Sequence, residues 1–179
     1  IEGISIGDSL LDYMTEEAIL AEIEISKNDY YYLSEPNKYA DVYIRKDLST
    51  YDLVSFLIKN NSTNEFLANK NEKYTILSIR GIIRYIEDFD SCIQKRDEVV
   101  SDLSKVFPNA QKYEEFYKHP ADTSGKSIVD TIDYIFKSGG KASIYCSNYD
   151  ETFRLKKRWV EGLTVSINSK EIHEWLTGY

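Results

Sequence analysis

Glycine and proline are scarce in this chain, at 8 and 3 of 179 residues, which leaves no composition for a flexible or proline-stiffened linker. The length and the missing linker point to a single domain over 1–179, large enough to close a core without metals or many disulfides. No stretch approaches the ~20 consecutive apolar residues that span a bilayer, so no transmembrane segment is expected. Basic residues are outnumbered: 22 lysines and arginines face 30 aspartates and glutamates, for a net charge of −8. A phosphate backbone is bound by clustered lysine and arginine, so this balance argues against nucleic acid. It favours a basic protein surface as partner.

Cysteine and histidine are equally sparse, with 2 of each. Cys92 and Cys146 lie too far apart for a CxxC redox motif, and with scattered histidines they make no zinc signature. His173 lies in Glu171-Ile172-His173-Glu174, which lacks the second histidine of HExxH. No EF-hand spacing accompanies the carboxylates at Glu87, Asp88 and Asp90 or at Glu114 and Glu115, and helix capping accounts for the first group. No metal site and no cofactor are expected.

What is present is an ordinary globular balance, 42% hydrophobic and 29% charged. Thr15, followed by Glu16 and Glu17, caps a helix over 15–24 whose apolar face carries Ile19, Leu20 and Ile23. Runs rich in tyrosine, valine and isoleucine at Tyr30–Leu33, Val42–Arg45, Leu53–Lys59 and Tyr74–Ile86 predict strands. Gly81 marks a bulge or bend in the last of these. Phe89, Cys92, Ile93, Val99, Val100, Leu103, Val106 and Phe107 form one stripe and predict a long helix over 88–107, with Arg96 as its polar intruder.

Further strands follow at 128–136, 142–147 and 163–168, the first two joined through the hairpin signal Ser138-Gly139-Gly140-Lys141. A short helix over 169–176 closes the chain. Elements in blocks rather than strict alternation predict an α+β fold: an antiparallel sheet of about five to seven strands, with the long helix and shorter terminal helices packed on one face.

The cysteines then acquire a structural reading. Cys92 sits on the helix stripe, and Cys146 shares a strand face with Ala142 and Ile144. A helix laid on a sheet brings such positions into disulfide range, and a bridge places the chain in the periplasm or outside the cell. The alternative is two buried free thiols in a cytoplasmic protein.

Four reactive side chains gather in the polar stretch 118–126: His119, Asp122, Ser124 and Lys126. Histidine as base and serine as nucleophile would suit a hydrolase if they converged, but no GxSxG elbow supports the serine. DTSGKS (122–127) ends like a phosphate-binding loop, yet Pro120 stands where its first glycine belongs, and a strand follows where that motif needs a helix. Arg154–Arg158 (RLKKR) reads as a solvated loop or edge-strand face. Tyr30, Tyr31, Tyr32, Tyr39 and Tyr43 are candidate contact residues, since tyrosine buries area while keeping a polar tip. Asn60-Asn61-Ser62-Thr63 holds two overlapping glycosylation sequons.

The opening GISIGDSLLDYMTEEAI (3–19), a glycine-led lead-in to a capped helix, resembles the small α+β envelope domains of the outer-membrane assembly lipoprotein and β-lactamase-inhibitor type. That resemblance implies a non-enzymatic, protein-binding role, although the long central helix and the later strand block depart from those domains. From the missing motifs, the cysteine geometry and the acidic charge, the expected function is a secreted or periplasmic non-catalytic binding domain. An intracellular acidic inhibitor or immunity-type protein that masks a basic partner is one alternative, and a hydrolase built on the 119–127 loop is another.

Overall fold

A computed structural model describes residues 1–29, 33, 38–60, 72–157 and 159–178. The fold is α+β, with seven strands in an antiparallel sheet and four α-helices among the described residues. The predicted contact residues Tyr30, Tyr31 and Tyr32 and most of the sequon stretch lie outside the described residues. Leu33, read from sequence as part of a strand, is helical and buried. The chain parts into two compact units, Ile1–Gly81 with Ile167–Tyr179, and Ile82–Ser166.

In the first unit Thr15 caps α1 (Glu16–Ser26), its hydroxyl accepting the amide of Ala18 at 3.3 Å. Strands β1 (Tyr39–Ile44) and β2 (Leu53–Lys59) pair antiparallel, with Val42 opposite Phe56 and Asp41 opposite Leu57. Alternation along a strand sends neighbouring side chains to opposite faces. Ala40, Val42, Val54, Phe56 and Ile58 accordingly join Ile19 of α1 and Ile76 of β3 (Ile76–Arg84) in one apolar cluster. Tyr39 and Leu57 point to the other face. There they meet Leu77 and helix α4 (Lys170–Leu176), through Ile172 and Trp175. Gly81 of β3 lies against an aromatic ring. A Cβ at this position would fall on the ring of Tyr51, and the missing side chain lets that ring lie against the strand.

In the second unit Asp88 caps the long helix α2 (Phe89–Val106), accepting the amide of Ser91 at 3.2 Å. Strands β4 (Gln111–Lys118), β5 (Ile128–Ile135) and β6 (Lys141–Asn148) pair antiparallel in sequence order, with β4 at the edge. Helix α3 (Glu151–Lys157) and β7 (Gly162–Asn168) follow.

Two elements correct the sequence reading. Residues 111–118 form a strand although every side chain in it is exposed, so no buried alternation marks it. The basic run 154–157 is helical rather than a loop or edge strand, and α3 is anchored through buried Phe153.

Cys92 of α2 and Cys146 of β6 form a disulfide, with Cα atoms 6.0 Å apart. Arg96, one turn along α2, is not an intruder on the packed face but part of it. It is 8% exposed, and its guanidinium pairs with Asp130 of β5 and lies 2.8 Å from Asp97. Val100 follows it on the same face, its carbonyl accepting the hydroxyl of Tyr134 at 3.2 Å.

Candidate functional site

The four reactive side chains of the 119–127 loop do not assemble into a nucleophile and its base. Asp122 is the hub instead. Its Oδ2 accepts the hydroxyls of Ser124 and Ser127 at 2.9 and 2.7 Å and the amide of Ser127 at 2.9 Å, while Oδ1 accepts the amide of Ser124 at 2.9 Å. These donors hold its carboxyl well below the usual aspartate range, the hydroxyl of Ser127 most of all. The loop's amides are thus engaged within the loop ahead of strand β5, those of Ser124 and Ser127 by the Asp122 carboxylate, that of Gly125 by the Asp122 carbonyl and that of Lys126 by the Ser124 hydroxyl.

Ser124 donates to Asp122 and not to His119. The Nδ1 of His119 accepts the amide of Ala121 at 3.3 Å. Its ring packs among Trp159, Tyr149 and Phe153, with centroids 4.8, 5.6 and 5.8 Å away. Burial lowers its pKa, against a smaller upward pull from Asp122, and favours the neutral ring. Lys126 reaches Asp150 at 3.5 Å. His119 fastens the loop to the segment around α3, Asp122 ties it internally, and Lys126 closes its outer side.

The candidate tyrosines of the first unit are drawn inward. Tyr39 is 2% exposed, its ring 4.5 Å from that of Trp175 and its hydroxyl donating to Glu171 at 2.6 Å. Tyr43 is half-buried and donates to Asp41 at 3.0 Å. Asp41 itself is 3% exposed, and burial pushes its carboxyl up to about 6 against the opposing pull of Arg80 at 3.4 Å.

An open arrangement of polar side chains lies on the sheet of the second unit. Opposed residues share a face. Asp130, Ile132 and Tyr134 therefore point with Cys146, Ile144 and Ala142 toward α2, while Thr131 and Asp133 point with Tyr145 and Ser143 the other way. That second face carries a groove of about 560 Å³, walled on the β4 side by Glu115, Tyr117 and Lys118. Asp133 and Lys141 form an ion pair across its floor at 2.8 Å, about a quarter exposed on each side. Tyr117 and Tyr145 flank it, and burial, with the nearby Tyr145 a smaller cause, raises the Tyr117 phenol above its ordinary value. The groove offers aromatic rims, a charge pair and the hydroxyls of Thr131, Ser143 and Ser166. Side chains of these types can stack on and hydrogen-bond to a polar ligand.

Sequence reasoning used the inward residues Ala142, Ile144 and Cys146 to place the cysteines and passed over their complement. Lys141, Ser143 and Tyr145 alternate with them, so the signal for the groove lay in the same run. Among the described residues no group of three or more histidine, cysteine, aspartate or glutamate side chains is placed to hold a metal ion. No described helix is long and apolar enough to cross a membrane. No family model matches the chain, and neither does any curated protein or solved structure.

Proposed function

We propose that the chain is a non-catalytic binding domain of an oxidising compartment, periplasmic or secreted, that meets a protein partner on the groove face of β4–β7. The observation that carries this reading is the groove itself: a sheet face with tyrosines at its rim and a partly shielded ion pair at its floor. Exposed tyrosine is a favoured recognition side chain because it contributes large contact area at low conformational cost. The net charge of −8 favours a basic segment as the ligand. The loop that suggested a hydrolase is occupied by its own hydrogen bonds, which favours binding over catalysis. The Cys92–Cys146 disulfide is compatible with an extracellular location.

The test is retention of the intact chain on arrays of basic peptides, acidic peptides and glycans. Basic peptides are expected to retain it, and Tyr145→Ala and Asp133→Asn are expected to weaken that retention about tenfold. Retention only by glycans, or indifference to both substitutions, overturns the choice of partner and surface. The compartment is tested separately, by alkylation and intact mass of natively expressed protein with and without reductant. Two free thiols there would remove the extracytoplasmic half of the proposal.

A further inference from the structure

We propose that β4 is a self-association edge, on which two copies of this chain pair antiparallel about Phe116. The proposal concerns the edge that β4 presents among the described residues, and its test is made without any groove ligand.

Among the described residues strand β4 pairs with β5 alone, in a register that sets Phe116 opposite Asp130. The amide of His119 donates to the carbonyl of Ser127 at 2.9 Å, continuing that register. On the far side of β5 the amide of Phe136 donates to Gly140 at 2.9 Å. In an antiparallel ladder alternate residues direct both backbone groups to the same neighbour. The odd-numbered residues of β4 therefore spend their backbone groups on β5, and Lys112, Glu114, Phe116 and Lys118 direct theirs outward. All eight side chains of the strand are exposed, Phe116 at 61% and Tyr113 at 54%. A long edge with unpaired backbone groups and exposed aromatic rings is a template for another strand, and proteins ordinarily cover or twist it away.

The charges along this edge select a second copy as its occupant. With Phe116 opposite the partner's Phe116, Glu114 faces the partner's Lys118, and the two-fold axis repeats that pair with the roles exchanged. Glu115 falls opposite the partner's Tyr117 on the groove face. Glu114, Phe116 and Lys118 each exchange both backbone hydrogen bonds with the partner strand, and the ladder ends where Pro120 lacks an N–H.

Registers centred on Glu115, Glu114 or Tyr113 are worse. Sliding the partner to set Glu114 against the partner's Phe116 brings Glu115 onto the partner's Glu115 and Lys112 onto the partner's Lys118. Centring on Glu114 opposes like carboxylates directly, which is destabilising. Centring on Tyr113 restores opposite charges, but only Lys112 and Glu114 then exchange backbone bonds across the axis.

Sedimentation equilibrium of the full chain, from micromolar to hundreds of micromolar without any ligand, tests this. A reversible monomer–dimer equilibrium is expected. Glu114→Lys alone and Lys118→Glu alone each place like charges across the axis and are expected to weaken the dimer about tenfold. The double substitution E114K/K118E restores opposite charges and should recover the wild-type constant, yet it should not pair with the wild-type chain. These side chains are exposed, so circular dichroism and melting should stay near wild type. A monomer at every concentration, a dimer indifferent to both single reversals, or a double variant as weak as the singles overturns the proposal.

Discussion

The hydroxyl of Ser127 donates to Asp122 at 2.7 Å and at the same time accepts the amide of Asp150 at 2.9 Å. This fully buried serine thus joins the loop after β4 to the segment that opens α3. Ser127→Ala is expected to cost about 1–3 kcal/mol, because it removes one hydrogen bond to an ionised carboxylate and leaves the part-buried amide of Asp150 without its acceptor. Urea titration with an unchanged m-value checks it. The donors around Asp122 hold its ionised form, so their contribution is complete above the ordinary aspartate pKa and is lost as pH falls through the lowered folded value.

Arg96 and Asp130 carry a second expectation. The guanidinium lies between α2 and β5, and removing it leaves a carboxylate only 29% exposed without its partner. Arg96→Ala is expected to cost about 2–3 kcal/mol, while joint replacement by Arg96→Met and Asp130→Leu recovers most of that. A double-mutant cycle on the urea midpoint separates the two outcomes.

The disulfide closes a loop with a sequence separation of 54. Replacing both cysteines with alanine is expected to lower stability by about 4 kcal/mol in the chain-entropy account. The same loss should follow from adding reductant to the wild-type chain. A midpoint unmoved by either treatment would contradict it.

Asp41 titrates in the opposite sense to Asp122. Its folded pKa is raised from 3.8 to about 6 by burial, with Asp29 a lesser contributor and Arg80, Tyr43 and Ser55 pulling down. The folded state binds a proton that the unfolded chain has released, so stability falls as pH rises from about 4 to about 6. The shift corresponds to about 3 kcal/mol for a group this buried. Asp41→Asn should flatten that part of the stability profile, measured as melting temperature against pH. Glu2 acts in a lower window. Its pKa is held at about 2, chiefly by the hydroxyl and amide of Ser49, so its contribution is lost only as pH falls below 4.5.

Much of this fold was legible in the chain, because local signals and tertiary packing agreed. Thr15, Asp88 and Ser169 cap helices where side-chain oxygen precedes an apolar period, and Leu53–Lys59 is a strand over the residues that its pattern predicts. Cys92 and Cys146 were placed by two different periodicities pointing into one layer. Strand β4 escaped notice because burial, the source of alternation, is absent from it. Arg96 looked foreign to an apolar stripe because its partner, Asp130, comes from a strand 34 positions later, and no helical period records that. The 119–127 loop misled for a related reason. Residue types suited to catalysis are also the types that satisfy a tight turn, and only distances tell the two apart.

The bond between Cys92 and Cys146 also determines how the chain would answer a pull on its ends. The loop it closes, with a sequence separation of 54, is bypassed by the force and stays coiled while the rest straightens. At about 3.4 Å per extended residue, an oxidised molecule yields roughly 180 Å less contour than a reduced one. A length hidden in this way appears in a single-molecule stretching trace as a step that reductant alone unlocks.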